Sequence, residues 1–231
     1  VDYVNNWAVG VSQTATSITF TTSTLGLADE LFYMNSTITT VKLQGSIKYL
    51  PANFFGWSSV TTVTLNAGLQ VIGEKAFERC TKLTAITIPN SVLEIGNSAF
   101  SNCSLLATLT FKTTPKVTTI GDYAFNKCTA LKSVTLPISV KTLGVKAFYG
   151  CTALTTFATG NGLTAIADET FSGCTALATV TLGTKIESIG SKAFYGCDVM
   201  KSITIPASVT SIGTEAFKGC TDLTSVTFGD T

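Results

Sequence analysis

The sequence predicts an α/β solenoid of about ten coils, each 22–25 residues long. Two observations lead to this fold class: a fixed spacing of cysteines, and an alternation of apolar residues that recurs at the same place in each period. The cysteines are separated by 23 residues except for one step of 25, and each has a phenylalanine three residues before it. They are Cys80, Cys103, Cys128, Cys151, Cys174, Cys197 and Cys220. A period of this length is typical of proteins in which one small unit stacks on the next.

Each period contains a short strand. After Cys80, the apolar residues Leu83, Ile86 and Ile88 alternate with polar ones, which indicates a strand with one buried face. Pro89 then follows at a point where the strand can end without losing a needed hydrogen-bond donor. Because a unit of this size cannot bury its apolar side alone, we predict that the strands of successive coils form one curved parallel sheet on the concave face.

Short helical turns are predicted on the opposite side of each coil. The frame Ile-Gly-x-x-Ala-Phe-x-x-Cys recurs there, and the residue after the glycine is often one that caps helices. These predicted caps are Asp29, Asn97, Asp122, Asp168, Ser191 and Thr214. Ala28, Pro51 and Ala167 occupy the position of the glycine in other units, so we attribute the glycine to close packing between coils and not to a positive φ.

The repeated pattern Cys-Thr-x-Leu-x-x-Ile-x-Ile-Pro-x-Ser-Val-x-x-Ile-Gly-x-x-Ala-Phe resembles the BspA-like, treponemal-type leucine-rich repeats. Clear examples run from Cys80 to Phe100 and from Cys197 to Phe217, and the resemblance covers roughly residues 15–231. It implies a leucine-rich-repeat solenoid in a protein that is secreted or exposed on the cell surface, where adhesion or binding of host proteins is often proposed. The first units depart from the pattern because Asn35 and Ser58 replace the cysteine.

The period extends over the whole chain, so residues 1–231 are predicted to form a single domain. A weak match places Val9 at the phenylalanine position, and residues 1–14 are therefore predicted to be a degenerate N-terminal coil. No polar C-terminal cap is visible after Phe228. We predict that the chain is a fragment of a longer protein, or that its last coil pairs with a neighbouring molecule. The sequence begins at Val1 without a secretion signal, which is expected to have been removed or left out.

The composition argues against several classes of function. The chain has no histidine, which removes the commonest general base and metal ligand. With 15 basic and 14 acidic residues it carries no charge pattern for nucleic acid, and no apolar stretch is long enough for membrane insertion. The cysteines are expected to be buried neutral thiols. No cofactor, no metal site and no catalytic residue are therefore predicted.

A column of exposed threonines at the strand centres is the candidate ligand-binding site. The column consists of Thr64, Thr87, Thr110, Thr135, Thr181 and Thr204. One interpretation is that threonine simply suits exposed strands, and another is that the sheet binds an extracellular protein or glycan ligand. Ice binding would require a strict threonine array, which Lys42, Ala85 and Ala158 interrupt. The alternative to a binding protein is a passive spacer that presents another domain of a longer chain.

Overall fold

The computed structural model describes residues 1–229, which form 21 short β-strands on two sides of a solenoid. The strands are β1 (Asp2–Val4), β2 (Trp7–Gly10), β3 (Ser17–Thr19), β4 (Gly26–Leu27), β5 (Thr40–Lys42), β6 (Tyr49–Leu50), β7 (Thr62–Thr64), β8 (Val71–Ile72), β9 (Ala85–Ile88), β10 (Glu94–Ile95), β11 (Thr108–Phe111), β12 (Thr119–Ile120), β13 (Ser133–Thr135), β14 (Thr142–Leu143), β15 (Thr156–Ala158), β16 (Ala165–Ile166), β17 (Thr179–Thr181), β18 (Ser188–Ile189), β19 (Ser202–Ile205), β20 (Ser211–Ile212) and β21 (Ser225–Phe228). From β3 onward, a strand of the first side alternates with a strand of the second. The prediction of about ten coils of parallel strands is confirmed.

The first side is formed by the odd-numbered strands from β3 to β21, which we call together the first sheet. Their hydrogen bonds join them in four parallel groups, β3-β5-β7, β9-β11, β13-β15-β17 and β19-β21, and not in the single continuous sheet that was predicted. In β9, the side chains of Ile86 and Ile88 are buried whereas Ala85 and Thr87 are exposed. The next strand, β11, lies in register, so that Thr110 is paired with Thr87. Because side chains alternate along a strand, this register brings all the apolar residues to the inner face.

From β4 onward, the second side consists of two-residue strands, the even-numbered strands up to β20. Ile95 in β10 is paired with Ile72 in β8 on one side and with Ile120 in β12 on the other. All three isoleucines are buried. This second set of parallel strands therefore closes the core from the side opposite to the first sheet.

The turns that lead from each even-numbered strand to the next odd-numbered strand form the third side of the solenoid. Within residues 1–229 these turns contain no helix, so the prediction of short helical turns is wrong. The backbone passes through positive φ twice in each turn, for example at Lys75 (54°) and Arg79 (56°), which an α-helix does not allow. Lys75, Phe77 and Arg79 donate their N–H groups to carbonyls of the next coil at 2.7–2.9 Å. Ala76 and Glu78 donate instead to the carbonyl three residues back. Hydrogen bonds between coils thus replace those of a helix.

The predicted helix caps have a different role. The Oδ1 atom of Asn97 accepts a hydrogen bond from the N–H of Asp122 at 2.9 Å, and Oδ1 of Asp122 accepts one from Val145 at 2.8 Å. Asp168 does the same for Ser191 at 2.7 Å. These short polar side chains satisfy backbone donors of the following coil, where no strand partner is available. The preference for Asp and Asn at this position is therefore real, but its cause lies between coils.

A stack of phenylalanine rings runs through the core. The ring of Phe125 lies parallel to those of Phe100 and Phe148, with centroids 5.1 and 5.2 Å apart. The stack contains Phe32, Phe55, Phe77, Phe100, Phe125, Phe148, Phe171, Phe194 and Phe217, with spacings of 4.8–6.0 Å. All are fully buried except Phe217, which is half-buried in the last complete coil. Each ring depends on the coils before and after it for its burial.

The recurrent glycines pack against the preceding coil, as predicted. Gly96 does not have a positive φ, and a Cβ atom placed on it would lie 2.8 Å from the backbone nitrogen of Glu74 and 2.9 Å from the carbonyl carbon of Gly73. Gly73 is equally close to the coil before it, because a Cβ atom there would lie 2.6 Å from the Leu50 oxygen. The missing side chain permits the close approach of the two backbones.

Gly183→Ala is expected to destabilise the fold by about 1–3 kcal/mol, the typical effect of overpacking. An added Cβ would overlap the carbonyl oxygen of Gly160 and lie 2.9 Å from its carbon, and backbone atoms held in a stack of coils cannot easily move aside. Gly68→Ala is the matched control, because its nearest heavy atom would be the Asn66 Nδ2 at 3.4 Å. Urea unfolding of both variants tests this. Equal midpoints for the two would contradict it.

The chain starts with an antiparallel hairpin, in which β1 and β2 are joined by Asn5 and Asn6. Both asparagines have positive φ (48° and 64°), as a two-residue hairpin turn requires. β2 then pairs in parallel with β4 and so starts the second side of the solenoid. Val9 is 46% exposed, so the match of Val9 to the buried phenylalanine position is wrong.

Candidate functional site

The six threonines predicted as the binding site lie together on the outer face of the first sheet. Thr64, Thr87, Thr110, Thr135, Thr181 and Thr204 are all exposed. Where strand pairs are regular, the column is in register: Lys42 is paired with Thr64, and Ala158 stands between Thr135 and Thr181. We call these six residues the threonine face. The structure thus confirms their common orientation.

The hydroxyl groups of the threonine face are largely available to solvent. Thr204 shares a hydrogen bond of 2.9 Å with the hydroxyl of Thr227. Within residues 1–229, none of the other five threonine side chains forms a hydrogen bond to the protein. Each hydroxyl can donate one hydrogen bond and accept others. The face therefore presents regularly spaced polar groups without a net charge of their own.

A groove of about 440 Å³ adjoins one end of this face. Thr181 and Thr204 contribute to its wall, together with the half-buried Leu182 and with Pro206. The groove forms a depression of side-chain size in the threonine face at Thr181 and Thr204. It combines apolar wall atoms with the hydroxyl groups of two threonines, which is the usual composition of a small binding site.

A second groove, which sequence reasoning missed, lies on the second side near the N-terminal end. It has a volume of about 630 Å³ and is lined by Leu25, Tyr49 and Pro51, with Asp29 and Lys48 at its edge. Tyr49 is 61% exposed and is paired in its column with the following Val71. The preceding member of that column is a glycine, which leaves room beside the ring. In the sequence, the groove is indicated by the change from glycine to tyrosine at the same position of two successive coils.

The cysteines form a buried column that is chemically inert. The Sγ atom of each cysteine donates a hydrogen bond of 3.0–3.4 Å to the phenylalanine carbonyl of the preceding coil, for example from Cys103 to Phe77. Burial raises the pKa of the Cys80 thiol to about 12 and that of Cys103 well above its usual range. All seven cysteines are free, and six are fully buried. A nucleophilic role would need a thiolate, which this environment disfavours.

The charged side chains lie mainly in the turns of the third side. Lys146 forms an ion pair with Glu169 at 3.3 Å, and Lys192 forms one with Glu215 at 3.5 Å. These pairs between adjacent coils match the alternation of charges in the sequence, and their exposure limits each to roughly 0–1 kcal/mol. Within residues 1–229, no group of three His, Cys, Asp or Glu side chains is placed to hold a metal ion, and no helix is long and apolar enough to cross a membrane.

Comparison with known proteins gives a consistent family match. A family model described as BspA type leucine rich repeat region matches residues 1–107 and 107–224, in six copies. No curated protein matches at a significant level.

Solved structures show the same fold. A leucine rich cell surface protein from Faecalibacterium prausnitzii is 29% identical with a TM-score of 0.55, over 90% of this chain and 64% of its own length. The present chain therefore spans less than two thirds of that relative. The pneumococcal vaccine antigen PcpA is 22% identical with a TM-score of 0.56, over 98% of this chain and 75% of its own. A leucine rich repeat protein of T. pallidum is 24% identical with a TM-score of 0.56, over 91% and 79% of the two chains.

Proposed function

Because the chain belongs to the BspA-type leucine-rich-repeat family, we propose that it is a non-catalytic, secreted or cell-surface protein that binds an extracellular protein or glycan. The surface location is supported by the description of the Faecalibacterium relative as a cell surface protein. The lack of catalysis is supported by the buried, protonated thiols and by the odd-numbered strands from β3 to β21, which contain no aspartate or glutamate.

The observation that carries the proposal is the threonine face itself. Its exposed hydroxyl groups lie in register on parallel strands, and a groove adjoins it at Thr181 and Thr204. Parallel strands of adjacent coils are about 4.8 Å apart. An extended protein segment or a glycan chain that crosses the coils would therefore meet a hydroxyl at nearly every step.

The triple variant Thr110→Lys, Thr135→Lys and Thr181→Lys is expected to abolish binding to the threonine face. Three long cationic side chains would occupy the face and remove three hydroxyls, while the exposed positions leave the core unchanged. The measurement is a binding screen of the purified chain against arrays of extracellular-matrix proteins and glycans. A ligand of the wild type should lose at least about tenfold in affinity, which corresponds to about 1.4 kcal/mol.

The matched control is Thr142→Lys, Thr164→Lys and Ser211→Lys, which adds the same charge at exposed positions away from the first sheet. This variant should bind as the wild type does. If both triple variants lose binding equally, the effect is one of charge and the threonine face is not the site. If neither loses it, the ligand binds elsewhere.

A passive spacer is the second candidate function, and one observation favours it. The odd-numbered strands from β3 to β21 contain no tryptophan, tyrosine or arginine, the residues in which binding hot spots are enriched. Absence of any ligand in both arrays would favour the spacer.

A further inference from the structure

The corner where each turn enters the next strand differs between the two ends of the solenoid. In nine coils, the second residue after the stacked phenylalanine has a positive φ of 55–82°. Four of these positions are glycine: Gly150, Gly173, Gly196 and Gly219. The other five are Met34, Trp57, Arg79, Asn102 and Lys127. The fold therefore tolerates glycine at this corner, but the five corners nearest the N-terminus have other residues there.

Large side chains at this corner are unfavourable for the fold in two ways. A residue other than glycine is disfavoured in the left-handed region, because its Cβ atom comes too close to the following carbonyl oxygen. In addition, Met34 and Trp57 are 63% and 46% exposed, so they gain little from burial. Strained residues that the fold does not require are concentrated at functional sites. The three consecutive corners at Met34, Trp57 and Arg79 thus need an explanation outside the fold.

These three corners are adjacent, and two of them are in direct side-chain contact. The guanidinium carbon of Arg79 lies 4.2 Å from the centre of the Trp57 ring. The N–H of Met34 bonds to the carbonyl of Gly56 at 2.8 Å, which fixes its coil against that of Trp57. The ring of Tyr33 packs over Gly56, where a Cβ atom would lie 3.1 Å from the Tyr33 Cδ2. We call Tyr33, Met34, Trp57 and Arg79 the aromatic corner.

Among the described residues, the guanidinium group of Arg79 has no carboxylate partner within ion-pair distance. The ion pair nearest in sequence joins Lys75 to Glu74 at 3.1 Å. An arginine stacked on an aromatic ring keeps its planar set of N–H donors free for a carboxylate. Trp57 remains 46% exposed beside the guanidinium group, so an apolar side chain can contact the indole next to the carboxylate site. A partner with a carboxylate beside an apolar side chain therefore fits this surface.

We propose that the aromatic corner binds an acidic segment of a partner protein, with a carboxylate on Arg79 and an aromatic or aliphatic side chain against Trp57 and Met34. Tryptophan, tyrosine and arginine are the residues in which interface hot spots are enriched. This surface lies on the turn side of the solenoid and not on the first sheet. The proposal is therefore independent of ligand binding by the threonine face.

The test uses fluorescence of Trp57 in a Trp7→Phe background, where Trp57 is the only tryptophan of the chain. The probes are synthetic twelve-residue peptides in two matched sets. One set combines Asp or Glu with Phe, Trp or Leu, and the other carries Asn or Gln in place of each acid. The acidic set is expected to change the Trp57 emission on titration, and the amide set is expected to bind at least about tenfold more weakly.

Trp57→Gly and Arg79→Gly provide variants that the fold should tolerate, because glycine stands at the same corner in four coils. The affinity of each variant for the acidic peptides, measured by fluorescence polarisation of labelled peptides, should fall by about tenfold or more. Arg79→Gln should have a similar effect without a change in backbone preference. Lys127→Gly, at the same corner of a later coil, removes one positive charge as Arg79→Gly does and should bind normally.

Several results would overturn the proposal. They are equal binding of the acidic and amide sets, full affinity in the Trp57→Gly and Arg79→Gly variants, and absence of any peptide binding. A glycan ligand that depends on Trp57 would also overturn it. Binding of a glycan or matrix protein that is lost only in the threonine-face variant takes place at the threonine face and not at the aromatic corner. Failure of one proposal is therefore distinguishable from failure of the other.

Discussion

Raising the pH from 7 to 9.5 is expected to destabilise the solenoid by several kcal/mol, a large part of the stability of an ordinary protein. The cause is the column of buried cysteines. Six of the seven thiols are fully buried, and burial raises the pKa of each, in the case of Cys80 to about 12. A thiol in the unfolded chain has a pKa of about 8.5.

The direction of the effect follows from proton linkage. Above pH 8.5 the unfolded chain loses thiol protons that the folded chain keeps. Each further increase in pH therefore lowers the free energy of unfolding. The contribution of the thiols is complete below pH 8.5 and is lost progressively up to the pKa of the folded state. One pH unit above the unfolded value, a thiol that stays protonated in the folded protein contributes a loss of about 1 kcal/mol, so the buried column as a whole contributes several kcal/mol.

Urea unfolding between pH 7 and 9.5 in the presence of a phosphine reductant measures this effect without interference from oxidation. The control variant replaces Cys103, Cys128 and Cys151 with alanine. It should be less stable at pH 7 because it lacks three buried side chains, but it should lose only about half as much stability as the pH rises. A stability that is constant up to pH 9.5, or an equal loss in both proteins, would show that the thiols do not carry the pH dependence.

The strands, the inward cysteines and the outward threonines could be predicted because they depend on periodicity alone. The alternation around Ile86 and Ile88 permits only one face to be buried, and repetition aligns that face in every coil. The close packing of the glycines was also predictable. Pro51 and Ala167 stand at equivalent positions, which argued against a need for positive φ.

The turns could not be predicted correctly, since a capping residue followed by Ala and Phe fits both a helix and a series of turns. The deciding feature is the left-handed backbone at residues such as Lys75 and Arg79, which these residue types do not indicate. Hydrogen bonds to the next coil stabilise that backbone, and they exist only after stacking. Sequence windows of one coil therefore lack the interaction that determines the conformation.

The hairpin and the aromatic corner show two other limits. The Asn5-Asn6 pair is a recognisable hairpin turn, but the repeat was extended over it as a degenerate coil. In the aromatic corner, the residue types at the aligned positions are visible in the sequence. Their meaning depends on the positive φ that all the corners share and on the contact between Arg79 and Trp57, both of which are properties of the folded solenoid.

Phe125→Ala is expected to destabilise the protein by about 3–5 kcal/mol, the typical loss when a fully buried phenylalanine is truncated. Its ring is inaccessible to solvent and stacks on Phe100 and Phe148, at 5.1 and 5.2 Å. Phe217→Ala is the matched control. Phe217 is only half-buried and stacks on Phe194 alone, so its loss should be less than half as large.

The shape of the unfolding curve carries further information. In a solenoid each coil contacts only its neighbours, and the stability of the whole depends on the interfaces between them. Phe125 lies near the middle of the stack, so its removal weakens the two interfaces that join the N-terminal and C-terminal coils. We expect the single urea transition of the wild type to separate into two in Phe125→Ala. Circular dichroism and the fluorescence of Trp57 are the two probes that monitor unfolding. Phe217→Ala should keep one transition. A single shifted transition in Phe125→Ala would show that coupling between the halves exceeds the loss, and a loss below about 1.5 kcal/mol would contradict the role of the ring stack.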